Sequence, residues 1–212
     1  MGDRWATGRV EAFSDGVLAI AITLLVLEIH VPESEFDNLW HGIASQWPSY
    51  LAYATSFLTI GAFWLLHHGV FRRLQYADTR VMRINLLLLM AISFLPFPTR
   101  LMAEAIHDKQ AERAAVITYG GNLLLISILY ALLWEAAVRG PGLLEPDVTP
   151  EEIRAFRRIA SPSAGFYVLA TALALFAPRV AVFWLLGVAI TIVLRARGDT
   201  LPGGTRRLRE EA

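Results

Sequence analysis

The sequence predicts an all-α integral membrane protein of six transmembrane helices with both termini cytoplasmic. Three observations predict it. The 212 residues are 55% hydrophobic with a mean hydropathy of +0.47, beyond what a soluble domain of this size carries, and the apolar residues come in long blocks. Six such blocks stand out, roughly 13–30, 48–71, 82–103, 113–137, 163–178 and 180–195. The basic residues between the blocks fall strongly on alternate connections.

The first block follows Arg4 and Arg9 and runs on to Glu28 with no small-residue cleavage site, so it reads as a retained first span rather than a signal peptide. The second, third and fourth blocks each reach the roughly 20 residues that cross a hydrocarbon core. Pro96 and Pro98 predict a kink or an unwound end in the third. After the fourth, Thr149-Pro150-Glu151-Glu152 is a helix start with proline at the first position, and a short surface helix is expected over 150–160. The fifth and sixth blocks are short and meet at Ala177-Pro178-Arg179. They are expected to form a tight spanning hairpin, with a re-entrant pair as the alternative. Residues 1–197 read as one transmembrane domain and residues 198–212, with Pro202-Gly203-Gly204, as a disordered cytoplasmic tail.

Arg4, Arg9, Arg72, Arg73, Arg80, Arg83, Arg139, Arg154, Arg157, Arg158, Arg195, Arg197, Arg206, Arg207 and Arg209 all flank the same ends of the spans. Only Arg100, Lys109, Arg113 and Arg179 flank the other. The positive-inside rule places the richer side, with both termini, in the cytoplasm. A multi-pass protein of a cell membrane is expected, with the lipid bilayer as its surroundings.

Several function classes drop out. Without cysteine there are no disulfides, thiolate metal sites or cysteine nucleophiles. Basic and acidic residues balance at 19 each, so net charge points to no nucleic acid or soluble partner. No hydrolase elbow, phosphate loop, zincin helix or cofactor fingerprint appears, so an enzyme is not expected and no cofactor is implied. His67 and His68 are adjacent, so their rings point about 100° apart on a helix and make a poor metal site. The TVGYG carbonyl filter of the usual potassium channels is absent.

The polar residues of the spans then carry the functional reading. Arg9, Phe13, Ser14 and Asp15 lead into a helix whose other hydroxyl is Thr23. A charge at the lip of a membrane helix needs a partner or a task. Ser14 and Asp15 can cap the helix, and Thr23 can bond back to the Ala19 carbonyl. At 100° per residue, Phe13, Gly16, Ile20, Thr23, Leu24 and Leu27 share a stripe about 100° wide, bordered by Ala12 and Ala19, with Asp15 roughly 140° from Ile20. Some Ile/Leu stripe would arise by chance in so apolar a helix, so periodicity alone leaves open a pore lining, ordinary packing and lipid contact. Trp64, His67 and His68 in the second span and Asn85 and Ser93 in the third are the other polar candidates. Arg9, Ser14, Asp15, one histidine and Asn85 lie at matching depth and are expected to form a buried cluster. Glu28, Glu33, Glu35 and Asp37 make the loop after the first span acidic, and Glu135 snorkels to the interface.

The run Arg9-x-x-x-Phe13-Ser14-Asp15 before an apolar helix containing Thr23 resembles the signature of the transmembrane protein 175 family of potassium channels. Phe63-Trp64-Leu65-Leu66-His67-His68, Asn85-Leu86-Leu87 and Ser93-Phe94-Leu95-Pro96-Phe97-Pro98-Thr99 are similar to that family's second and third helices. The resemblance covers about residues 9–100. With one six-helix repeat the chain is similar to the bacterial members, which implies a bacterial inner membrane and a homotetramer in which the first helices line the pore, with K⁺ as the permeant ion. By distance from the FSD motif the resemblance maps a hydrophobic constriction to Ile20, Leu24 and Leu27 and a selectivity-linked threonine to Thr23. It groups Arg9, Phe13, Ser14, Asp15, Trp64, His67, His68, Asn85 and Ser93 as a structural motif network. The acidic residues Glu28, Glu33, Glu35 and Asp37 are then read as an outer mouth that concentrates cations. The rival readings are a secondary transporter or proton pathway using Asp15 with His67 or His68, and a membrane scaffold without transport.

Overall fold

The computed structural model describes residues 4–105, 108–174 and 176–198. The chain begins with a short strand, β1 (Arg4–Ala6), followed by α1 (Thr7–Leu24) and one 3₁₀ turn, Leu25–Glu28. A second 3₁₀ segment (Glu33–Asn38) and the short α2 (Leu39–Ser45) lead into α3 (Trp47–Phe71), which carries Pro48 in its first turn. Strand β2 (Tyr76–Asp78) precedes α4 (Thr79–Ser93), and α5 (Pro96–Glu104) continues the same span. The last helices are α6 (Lys109–Arg139), α7 (Pro150–Ala174) and α8 (Pro178–Gly198).

Local chemistry explains where these helices start. Asp78 accepts from the Val81 N–H at 2.8 Å, and Asp108 from Gln110 and Ala111 at 2.8 Å each, so both supply the oxygen that the first turn lacks. Thr149 and Glu152 form a reciprocal capping box, each side chain accepting from the other's N–H at 3.2 Å. The kink expected in the third span falls at Phe94–Leu95, between α4 and α5, because Pro96 and Pro98 have no N–H to continue the ladder.

Among the described residues, four helices are long and apolar enough to cross a membrane: Thr7–Glu28, Trp47–Phe71, Thr79–Glu104 and Lys109–Arg139. The surface helix expected over 150–160 is not a separate element. It runs unbroken to Ala174, since nothing in 155–161 interrupts a helix and Pro162 lies inside it. At 1.5 Å per residue α7 and α8 are about 37 and 31 Å long, and they pack on each other as a hairpin. Helix α8 ends at Gly198, and the predicted tail from 199 to 212 lies outside the described residues.

Helix α6 is the hub, packed on α4, α5 and α7, while α8 leans back on α3. Tyr119, Leu123, Tyr130 and Trp134 of α6 are fully buried with Ile60, Leu88, Ile92 and Leu95. Buried polar groups tie the helices together. Ser56 lies 2.7 Å from Thr99 and 3.0 Å from Tyr119, Asn122 donates to the Ala91 carbonyl at 3.0 Å, and Tyr130 donates to the Phe63 carbonyl at 2.6 Å. Helix α1 lies in the groove between α3 and α4.

A two-stranded ribbon not anticipated from the sequence secures the start of α1. β1 and β2 pair antiparallel with Arg4 opposite Asp78 and Ala6 opposite Tyr76. Thr7 donates to the Leu74 carbonyl at 3.3 Å, and Arg4 to the Pro141 carbonyl at 2.9 Å. Three-residue strands are too short to show an alternating pattern in sequence. Nearby, Arg73 is half-buried with its guanidinium 5.4 Å from the Phe156 ring. Burial holds its pKa below the usual arginine value, with Glu152 acting in the opposite sense.

Candidate functional site

Helix α1 has two contrasting faces. Val10, Ser14, Leu18, Ala21 and Leu25, spaced four, four, three and four residues apart, are buried against the bundle. Phe13, Ile20, Leu24 and Leu27 are 57%, 61%, 41% and 72% exposed, and Gly16 and Thr23 share their exposure. The stripe drawn from the sequence is therefore a side of α1 that its own bundle leaves uncovered. Ala12 and Ala19 on its border are exposed as well.

The end of α1 refines that stripe. A 3₁₀ turn eclipses side chains three residues apart, so Leu27 stays stacked over Leu24 instead of drifting around the helix. Thr23 donates to the Ile20 carbonyl at 2.9 Å, not to Ala19 as expected. Its proton is thereby occupied, and the oxygen's remaining lone-pair capacity is left for an outside donor or cation.

The buried face carries a polar anchor drawn from three helices. Ser14 donates to the Val10 carbonyl at 2.8 Å and accepts from Asn85 Nδ2 at 3.0 Å. Asn85 Oδ1 lies 3.0 Å from His67 Nε2. An amide that spends its N–H on Ser14 presents only its oxygen to His67, so Nε2 carries the proton. The His67 ring stacks on Phe71 with centroids 4.3 Å apart, and its buried Nδ1 has no hydrogen-bond partner among the described residues.

A second, half-exposed pair of contacts lies along the α1–α3 edge. Trp64 Nε1 donates to Asp15 at 3.0 Å, and His68 Nδ1 lies 2.8 Å from Glu11 Oε1. The Trp64 and His68 rings stack with centroids 6.3 Å apart.

The expected single cluster thus resolves into two and loses Arg9, and of the wider motif group Phe13 and Ser93 stand apart as well. Asp15 bonds an indole rather than a histidine or Arg9, because its direction on α1 points at Trp64 while His67 lies behind Ser14. Arg9 is exposed and without an ionic partner among the described residues, and at 100° per residue it falls about 20° from Ile20, on the stripe. Phe13 belongs to the stripe too. Ser93 lies eight residues beyond Asn85, about 12 Å along the axis, where it donates to the Met90 carbonyl at 3.0 Å. Glu11, overlooked in the sequence, had one signal: it sits one turn before Asp15 on the same face.

At the other end of α1, Leu24, Leu27, Phe94 and Phe97 line an open groove with Glu28 and Arg100 among its lining. Arg100 is 2.8 Å from Glu104 and 3.8 Å from Glu28, so the Glu28 charge is shared rather than free as expected. Glu33 and Asp37 are exposed and Glu35 is half-buried, none with a cationic partner among the described residues. No group of three or more metal-ligating side chains occurs among the described residues.

Residues 9–96 match the family model described as the endosomal/lysosomal potassium channel TMEM175. A potassium channel of Streptomyces collinus is 43% identical over 162 residues, 76% of this chain and 79% of that one. A potassium channel of Chamaesiphon minutus is 42% identical over 193 residues, 90% of this chain and 95% of that one. The human endosomal/lysosomal proton channel TMEM175 is 30% identical over 196 residues, 86% of this chain but 39% of that longer protein. The crystal structure of a lysosomal potassium-selective channel TMEM175 homolog from Chamaesiphon minutus superposes with a TM-score of 0.80, covering 90% of this chain and 97% of that one at 41% identity. With its apolar helices, its two-faced α1 and bacterial relatives matched along most of their length, this chain belongs to the TMEM175 family of ion channels, as a multi-pass protein of the bacterial cell membrane.

Proposed function

We propose that the chain forms a potassium-permeable channel as a homotetramer of six-span subunits with both termini cytoplasmic, its pore lined by the uncovered stripe of α1. The observation that carries this reading is an inversion of the usual order. The most apolar of the four long spans is also the least covered, with 28% of its window buried against 56% for α6. Its uncovered side bears Arg9, Gly16 and Thr23 among the apolar residues, a mixture unsuited to lipid. Bacterial relatives named potassium channels, matched over most of both chains, support the ion.

One helix cannot enclose a path, so α1 helices of several subunits converge on an axis. Rings of Ile20, Leu24 and Leu27 then close the path by expelling water, with no moving plug required. When the rings dilate, a partly dehydrated cation passes. Stripping water costs more for the smaller Na⁺ than for K⁺, which favours K⁺ without a carbonyl cage. The Thr23 ring offers hydroxyl oxygens in place of the lost water. Glu33, Glu35 and Asp37 raise the cation concentration at the outer mouth, with Glu28 attenuated by Arg100.

A proton relay through Asp15 and His67 or His68 draws less support. The Asp15 partner is a tryptophan indole, which donates and cannot accept, so it passes no proton onward. The deciding experiment is current from the purified protein in a bilayer under a K⁺/Na⁺ gradient. Discrete steps reversing toward the K⁺ potential are expected; saturable, pH-coupled flux without steps would favour the transporter reading.

A further inference from the structure

The site for this inference is the seam between subunits, and it rests on the tetrameric reading above. The Asn85–Ser14 hydrogen bond fixes α1 and α4, which run in the same direction from the β1–β2 ribbon, at one depth. Glu11 stands three residues before that bond on α1 and Arg83 two before it on α4, so at 1.5 Å per residue the two differ by about 1.5 Å in depth. They lie on opposite flanks of the subunit. Glu11 and Asp15 line the edge where α1 meets α3, while α4 covers the other flank of α1.

Helix α4 has an uncovered side of its own. Arg80, Arg83, Leu86, Leu87, Met90 and Phe94 are exposed and fall within about 120° of one another. Neither arginine has an acidic partner among the described residues. Among the described residues, the carboxylates across the subunit have only an indole and a histidine for partners. If α1 faces a rotation axis, ring closure is heterologous: the α4 flank of each subunit meets the α1–α3 flank of the next, at unchanged depth.

We propose that Arg83 of each subunit docks on the Glu11–His68 pair of its neighbour, with Arg80 one turn nearer the membrane surface. A guanidinium is suited to this, because its planar fork bonds a carboxylate through two parallel N–H groups and satisfies the acceptor positions that His68 leaves open. The contact places four ionic links around the end of the ring that carries the ribbons. Below them, Leu87, Met90 and Phe94 continue the seam as apolar packing.

The absence of cysteine makes a direct test simple. Glu11→Cys and Arg83→Cys chains with different tags are co-expressed and oxidised in membranes. A reducible dimer carrying both tags is expected, absent when either variant is expressed alone. A tetrameric mass with no two-tag dimer overturns the docking and leaves the ring; a monomeric mass overturns the ring reading, and the docking with it. Charge exchange gives a second readout. Arg83→Glu should lower the tetramer fraction in detergent severalfold, and adding Glu11→Arg to the same chain should restore it. Failure of that restoration, or a tetramer fraction that follows anionic lipid content instead of this pair, overturns the proposal in favour of a lipid headgroup on Arg83.

Discussion

Asn85 reaches from α4 to Ser14 on α1 at 3.0 Å, and the other end of the same amide meets His67 of α3 at 3.0 Å. One side chain thereby fixes the rotation and the depth of α1 against both helices beside it. In a low-dielectric interior, an amide bonded at both its oxygen and its nitrogen specifies one arrangement, since each misplacement leaves a polar atom unpaired.

Loss of the amide should cost more than loss of the hydroxyl. Ser14→Ala removes the bond to Val10 within the helix and one interhelical bond, from Asn85, for which membrane proteins show about 0.6 kcal/mol on average and up to about 1.7. Asn85→Leu removes the interhelical bond to Ser14 and also strands the buried His67 Nε2–H, at about 1–3 kcal/mol for an unpaired group. Thermal unfolding in detergent should rank the variants in that order. Parent-like stability of Asn85→Leu would show that the triad is dispensable.

Ile20→Asn should open the path. If an amide ring holds water in the constriction and lowers the barrier by about 1.4 kcal/mol or more, flux rises about tenfold or more. Potassium flux from loaded liposomes measures this, and an unchanged rate removes Ile20 from the constriction.

Thr23 separates chemistry from size. Thr23→Ser keeps the oxygen and should keep the K⁺/Na⁺ preference, whereas Thr23→Ala and Thr23→Val should shift the reversal potential toward Na⁺. The same reversal potential in all three variants would leave selectivity to the apolar rings.

Asp15→Asn retains an oxygen that accepts from Trp64, so folding and K⁺ current should stay close to the parent. Trp64→Phe deletes the donor and should reduce the amount of assembled protein. Loss of transport in Asp15→Asn with normal assembly would revive the relay reading.

Arg100→Ala should release Glu28 and raise single-channel K⁺ conductance at low salt. Screening shortens from about 30 Å at 0.01 M to about 10 Å at 0.1 M, so the gain should fade as salt rises. A gain that persists at high salt would point to a change of pore shape instead.

By itself the sequence determined the membrane class, the four long spans and the break at Pro96 and Pro98, and it drew the stripe on α1 without deciding whether the bundle covers it. Each of these follows from local chemistry: apolar length, a missing N–H, and the direction of side chains along a single helix. Partner choice lay elsewhere. Only the tertiary structure decided that the stripe of α1 is left uncovered, that Asp15 meets Trp64, that His68 meets Glu11, and that β1 pairs with β2 across some seventy residues. Those pairings depend on the relative rotation and depth of α1, α3 and α4. Packing around α6 and the Ser14–Asn85–His67 bonds set that geometry jointly, and no one helix encodes it.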